Sequence, residues 1–92
     1  MASIEERRQR EELVSGVEGV PFNRVLDSTL LPMARTWIAK LVEDPNLDPG
    51  ERRGYIYALR ALRAGLQGLY DQAGLVLPER IRKDLGLYER DG

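Results

Sequence analysis

Neither cysteine nor histidine occurs among the 92 residues. Without cysteine there is no disulfide, no thiolate nucleophile and no thiolate-ligated zinc. Without histidine the chain lacks the side chain most used for proton transfer near neutral pH and the commonest metal ligand. The two absences together argue against an enzyme, and no catalytic, cofactor-binding or metal-ligating residue is assigned. Neither sign of charge dominates: 14 Lys and Arg stand against 15 Asp and Glu, for a net charge of -1. That balance removes the bulk attraction of a general nucleic-acid or membrane binder and leaves only local patches to consider. No apolar run approaches membrane-spanning length, and Met1 to Arg8 is charged where a signal peptide is apolar. The expectation is a soluble cytoplasmic protein with no membrane partner. A single domain of this size buries only about two-thirds of the surface its unfolded chain exposes, so its stability margin is small.

What is present is helical patterning. Ser3-Ile4-Glu5-Glu6 fits a capping box, and a charged helix is predicted from Ile4 to about Val14. Its opposite charges pair at helical spacing as Glu6/Arg10, Arg7/Glu11 and Arg8/Glu12. Only Ile4, Leu13 and Val14 offer it apolar surface. From Ser15 to Asp27 the glycines 16 and 19 and Pro21 interrupt helical periodicity, so an extended connector is predicted, anchored by Phe22. A second helix is predicted to open with Thr29 as N-cap and Pro32 in its first turn. Leu30, Ala34, Trp37 and Leu41 form its apolar seam, and Pro45 ends it.

Asp48-Pro49-Gly50-Glu51 restarts a helix with an aspartate cap and proline at the first position. The acid-free run between Glu51 and Asp71 then carries three distinct faces. Tyr55, Leu59, Leu62, Leu66, Leu69 and Ala73 recur at steps of four and three, a heptad-like seam. Gly54, Ala58, Ala61, Gly65 and Gly68 follow a parallel line, where small side chains admit a close backbone or mark a break near Gly65. Arg53, Arg60 and Arg63, with Gln67 nearby, mark a third face and a candidate site for an anionic partner. Gly74 suits the residue that stops this helix, and a short last helix is predicted from Pro78 to Leu85, ended by Gly86 and covered by Leu87. The tail Tyr88 to Gly92 is predicted to fray.

Two segments imitate ligand loops and fail. Asp44-Pro45-Asn46-Leu47-Asp48-Pro49-Gly50 alternates oxygen-bearing side chains as a calcium loop does, but Pro49 and Tyr55 stand where that loop needs glycine and glutamate. A capped turn accounts for the acids. Gly16-Val17-Glu18-Gly19 lacks the Lys-Ser or Lys-Thr of a phosphate-cradling loop. Tyr57 is a lone aromatic beside the arginine face, which is little support for nucleic-acid stacking, and Trp37 falls in the apolar seam.

The predicted fold is all-α: an antiparallel helical hairpin over 28–74, preceded by a charged helix and connector over 1–27 and followed by a short helix and tail over 75–92. Its expected core is Leu30, Ala34, Trp37, Leu41, Tyr55, Leu59 and Leu62. The second helix is roughly 20 Å long and the third roughly 37 Å at 1.5 Å per residue. The overhang carries Gly65, Leu66, Gly68, Leu69 and Ala73, which are therefore the candidate oligomer interface. In size and in its missing residue types the chain is similar to the small helical assembly proteins of bacteriophages and other mobile elements, a likeness of general build alone. The leading expectation is a non-catalytic, self-assembling interaction or adaptor protein with a protein partner and no cofactor. The alternatives are a nucleic-acid binder whose arginine face repeats around an oligomer, and a binder of a small anionic ligand between subunits.

Overall fold

The computed structural model describes residues 3–87; the tail expected to fray, with Met1 and Ala2, lies outside the described residues. The fold is all-α, with no strand among the described residues. Its elements are α1 (Ile4–Glu18), α2 (Val20–Val25), a π-helical turn (Leu26–Leu30), α3 (Leu31–Glu43), α4 (Pro49–Gln72) and α5 (Glu79–Asp84).

The largest departure from expectation is that the connector is helical. Helix α1 runs past Val14 to Glu18, and α2 begins at Val20 after a break at Gly19. The break follows from Pro21, which has no N–H to donate back into α1. Asn23 supplies the missing donor: its side-chain amide donates to the carbonyls of Val17 and Gly19 at 2.9 and 2.8 Å. A polar side chain thus replaces the lost backbone bond and lets the chain re-enter helix within one residue. Thr29 is not an N-cap but lies inside the π turn, where Leu31 N–H donates to the Leu26 carbonyl five residues back. The wider π turn makes room for Pro32, whose ring would clash with the carbonyl four residues earlier in an uninterrupted α-helix. Of the three ion pairs expected along α1, Arg8–Glu12 closes, at 3.6 Å.

The caps follow the sequence closely. Ser3 Oγ accepts from Glu6 N–H, and the Asp48 carboxylate accepts from Gly50 and Glu51 N–H. Gly74 and Gly86 sit at φ of 73° and 74°, the left-handed conformation that ends α4 and α5. Leu75 N–H reaches back to the Tyr70 carbonyl, and Leu87 N–H to that of Arg82, each closing the Schellman pattern. Helix α4 continues without a break through Gly65 and Gly68 to Gln72.

Helices α3 and α4 pack on each other, but the centre of the fold is displaced from their seam. The buried core is Val17, Leu26, Leu31, Ala34, Leu59, Leu66, Tyr70, Ala73, Leu77, Ile81 and Leu85, one cluster drawn from α1, the π turn, α3, α4 and the C-terminal segment. Of the expected core only Ala34 and Leu59 are buried, while Leu30, Trp37, Leu41 and Leu62 are half-buried against it and Tyr55 is half-buried. The reason is that the folded connector and the C-terminal segment supply much of the interior: the π turn and α5 pack on α3, α1 packs on α4, and the fully buried Leu26, Ile81 and Leu85 come from these segments. Tyr70 is in the core, its ring tilted against that of Phe22 at a centroid distance of 6.5 Å. Burial raises the Tyr70 pKa above the ordinary value of about 10, with the Arg80 charge opposing and the Glu18 charge adding to the rise. The buried phenol is thus favoured in its neutral form. Its contribution to stability is full below the unfolded pKa and is lost as pH rises through the raised folded one. Urea unfolding measured across the alkaline range should show stability falling above about pH 10, and Tyr70→Phe should flatten that fall.

Candidate interaction surface

Helix α4 and its C-cap Ala73 hold all the candidate residues for an interface or an anionic partner, and the rotation of α4 within the fold decides which of them remain available. Leu59 and Leu66 define its inward direction, since both are buried. At about 3.6 residues per turn, Arg63 lies close to that direction, whereas Arg53 and Arg60 lie well round the side. The burial agrees: Arg53 and Arg60 are exposed and Arg63 is half-buried.

Arg63 is accordingly an internal tie and not part of an outward basic face. Its Nε donates to the Leu85 carbonyl at 2.7 Å, fastening the end of α5 to α4. Gly86 is left just enough room: a Cβ there would lie 3.0 Å from Arg63 Nη2 and 3.2 Å from Ile38 Cδ1. Other cations are engaged in the same way. Arg80 donates from Nη1 to Asp27 at 2.6 Å and from Nη2 to Asn23 at 2.7 Å, joining α5 to the π turn and α2. Arg35 pairs with Asp84 at 2.8 Å, and Arg52 donates to the Leu41 carbonyl at the end of α3. Gln67 donates to Asp71 at 2.9 Å, so an acid accompanies the polar end of the proposed anion site. What remains of that site is Arg53 and Arg60, with the Arg60 guanidinium 5.9 Å from the centroid of the Tyr57 ring. Among the described residues no cluster of cations forms on this face.

The candidate oligomer interface is likewise divided. Leu66 and Ala73 are buried in the chain's own core, and Leu69 is half-buried against it. Leu66, Tyr70 and Ala73 thus lie inside the chain's own cluster, with α1 packed on α4, and the unmatched length of α4 no longer calls for a second copy. Gly65 and Gly68 belong instead to the outward side. Together with Gly54, Ala58 and Ala61 they form a smooth line on the side of α4 away from the buried seam, with Gly54, Ala61 and Gly65 exposed and Ala58 and Gly68 half-buried. A Cβ built on Gly54, Gly65 or Gly68 meets nothing within 4 Å. Beside that line stands Tyr57, 58% exposed. Sequence periodicity places all of these on one line but does not say whether the line points outward; only the position of the core does.

One cavity of about 340 Å³ is lined by Val17, Tyr70, Leu75, Pro78 and Arg80 among others, and Arg80 is already bound to Asp27 and Asn23 there. No helix is long and apolar enough to cross a membrane among the described residues. No protein-family model, curated protein or solved structure matches this chain.

Proposed function

We propose that the protein is a non-catalytic, self-associating interaction module, a small assembly component whose docking surface is the outward face of α4. Its scaffold in this reading is an antiparallel α3–α4 hairpin, supported by the short connection over 44–48 and by the Arg52 bond to the Leu41 carbonyl across that turn. One observation carries the functional reading. Gly54, Gly65 and Gly68 lie in one unbroken helix, and none has a neighbour that a methyl group would strike. Each costs about 1 kcal/mol relative to alanine in a helix interior, and the monomer gains no contact from any of them. A surface that approaches the α4 backbone closely does gain, because glycine is what permits the approach.

The first test separates these two settings. Gly54→Ala, Gly65→Ala and Gly68→Ala are each expected to stabilise the isolated chain by about 0.5–1 kcal/mol, measured by urea unfolding at low protein concentration. A loss of stability would give the glycines an internal role and remove the support for a docking face. Light scattering of the parent protein should show a mass above that of one 10.5 kDa chain as concentration is raised. A constant monomer mass would end this reading.

A further inference from the structure

Resting on the self-association just described, we propose the partner and its register: α4 of a second copy, packed antiparallel about Ala61, with Tyr57 of each chain seated among Ala61, Ala64, Gly65 and Gly68 of the other.

The shape of the face supplies the first reason. In close helix packing, a side chain enters a hole whose corners are residues i, i+3, i+4 and i+7 of the facing helix. Residues 61, 64, 65 and 68 are such a set, and every corner is alanine or glycine. Space at the corners Gly65 and Gly68 is open. The largest exposed side chain beside the line is Tyr57, a stiff ring with 58% of its surface free. A second copy set antiparallel, with Ala61 opposite itself, brings Gly54 opposite Gly68 and Tyr57 opposite Gly65. A parallel pairing would instead oppose Tyr57 to Tyr57 and Gly54 to Gly54, holding the helices apart at one level and leaving a gap at the next.

Charge supplies the second reason, independent of shape. Arg53 and Asp71 flank the line on the same side of α4, and both are exposed. Neither has an ion-pair partner among the described residues; Asp71 accepts only from the neutral Gln67 amide. A two-fold axis lying between antiparallel helices keeps each flank on its own side. It sets Arg53 of one copy beside Asp71 of the other, offset by about 3 Å along the axis at 1.5 Å per residue. The same contact recurs at the other end. In the parallel arrangement the two-fold carries the flank of one copy to the opposite side of the interface, and Arg53 and Asp71 stay about 27 Å apart along the axis at 1.5 Å per residue, so the pair does not form. Exposed pairs of this kind add little affinity, but they select orientation.

The absence of cysteine from the chain allows a direct test. Under mild oxidation Ala61→Cys is expected to form a covalent dimer, because facing residues at the two-fold come within the roughly 7 Å Cα separation that a disulfide tolerates. Gly54→Cys alone should not, since its copy lies about 21 Å away along the axis at 1.5 Å per residue; mixed with Gly68→Cys it should. Tyr57→Ala is expected to raise the dissociation constant at least tenfold with helicity by circular dichroism unchanged. Arg53→Asp should weaken association several-fold, and Arg53→Asp combined with Asp71→Arg should restore it. A dimer that cross-links through Gly54→Cys but not Ala61→Cys would overturn the antiparallel register while leaving self-association standing. A dimer indifferent to Tyr57→Ala would overturn the seating of the ring. A parent that remains monomeric at high micromolar concentration would overturn both this pairing and the function on which it rests.

Discussion

Truncating Ile81 to alanine is expected to lower stability by about 2–5 kcal/mol, enough to unfold much of so small a domain. Ile81 is fully buried, at 0% exposure, in a helix of only 6 residues that cannot persist on its own. Its side chain is the principal apolar anchor of α5 within a cluster that also holds Leu66, Tyr70 and Leu85. The cavity left by truncation therefore opens in the shared core where α5 packs on α3, and the loss should propagate to the whole fold. Trp37→Ala offers the internal comparison. Full burial would give the indole a cost of about 3–5 kcal/mol, but Trp37 is half-buried at the margin of the core. Its loss should be nearer about 1.5–2.5 kcal/mol, half the fully buried value. Urea unfolding of both variants decides the matter. A greater loss from Trp37→Ala than from Ile81→Ala would return the centre of the fold to the α3–α4 seam.

Arg63→Met is expected to destabilise the protein by about 1.5–3 kcal/mol, the range for a hydrogen bond made by a charged group. The methionine keeps most of the aliphatic stem but cannot donate to the Leu85 carbonyl, which lies at 2.7 Å from Arg63 Nε at the close of α5. Arg60→Met, one turn earlier and exposed, should change stability by no more than about 0.5 kcal/mol. Amide hydrogen exchange localises the effect: protection in residues 79–87 should fall in the Arg63 variant and stay at the parental level in the Arg60 variant. Equal effects at the two positions would remove the special role of Arg63. The pair also shows why charge reversal at Arg60 and Arg63 together is a poor probe of anion binding, since it damages the fold through Arg63.

Local geometry was legible in the residues. Ser3, Asp48, Gly74 and Gly86 act where their chemistry places them, because a cap or a left-handed turn depends only on the few residues around it. The stretch from Ser15 to Asp27 was not legible. Its glycines and prolines read as breaks, yet the breaks are bridged by an Asn23 side chain reaching back to Val17 and by a π turn that accommodates Pro32. Both devices act within the chain's immediate neighbourhood, but neither leaves a periodic signal. An extended connector over that stretch leaves Val17 and Leu26 outside the interior and shifts the expected core toward Trp37, whereas both residues are buried.

The sequence by itself determined that the fold is all-α, where most of its helices end, and that α4 presents apolar, small and basic lines of residues. These are properties of composition and of spacing along a single helix. Which of those lines faces solvent was decided only by the tertiary structure, through the rotation of α4 against the segments that cover it. Arg60 and Arg63 are three residues apart and alike in type, yet one lies on the surface beside Tyr57 and the other holds the end of α5. A helical period orders residues around an axis but contains no direction for the interior. That direction is set by long-range burial, here by Val17, Leu26, Leu31, Ile81 and Leu85 gathering into one core with Leu59 and Leu66 of α4.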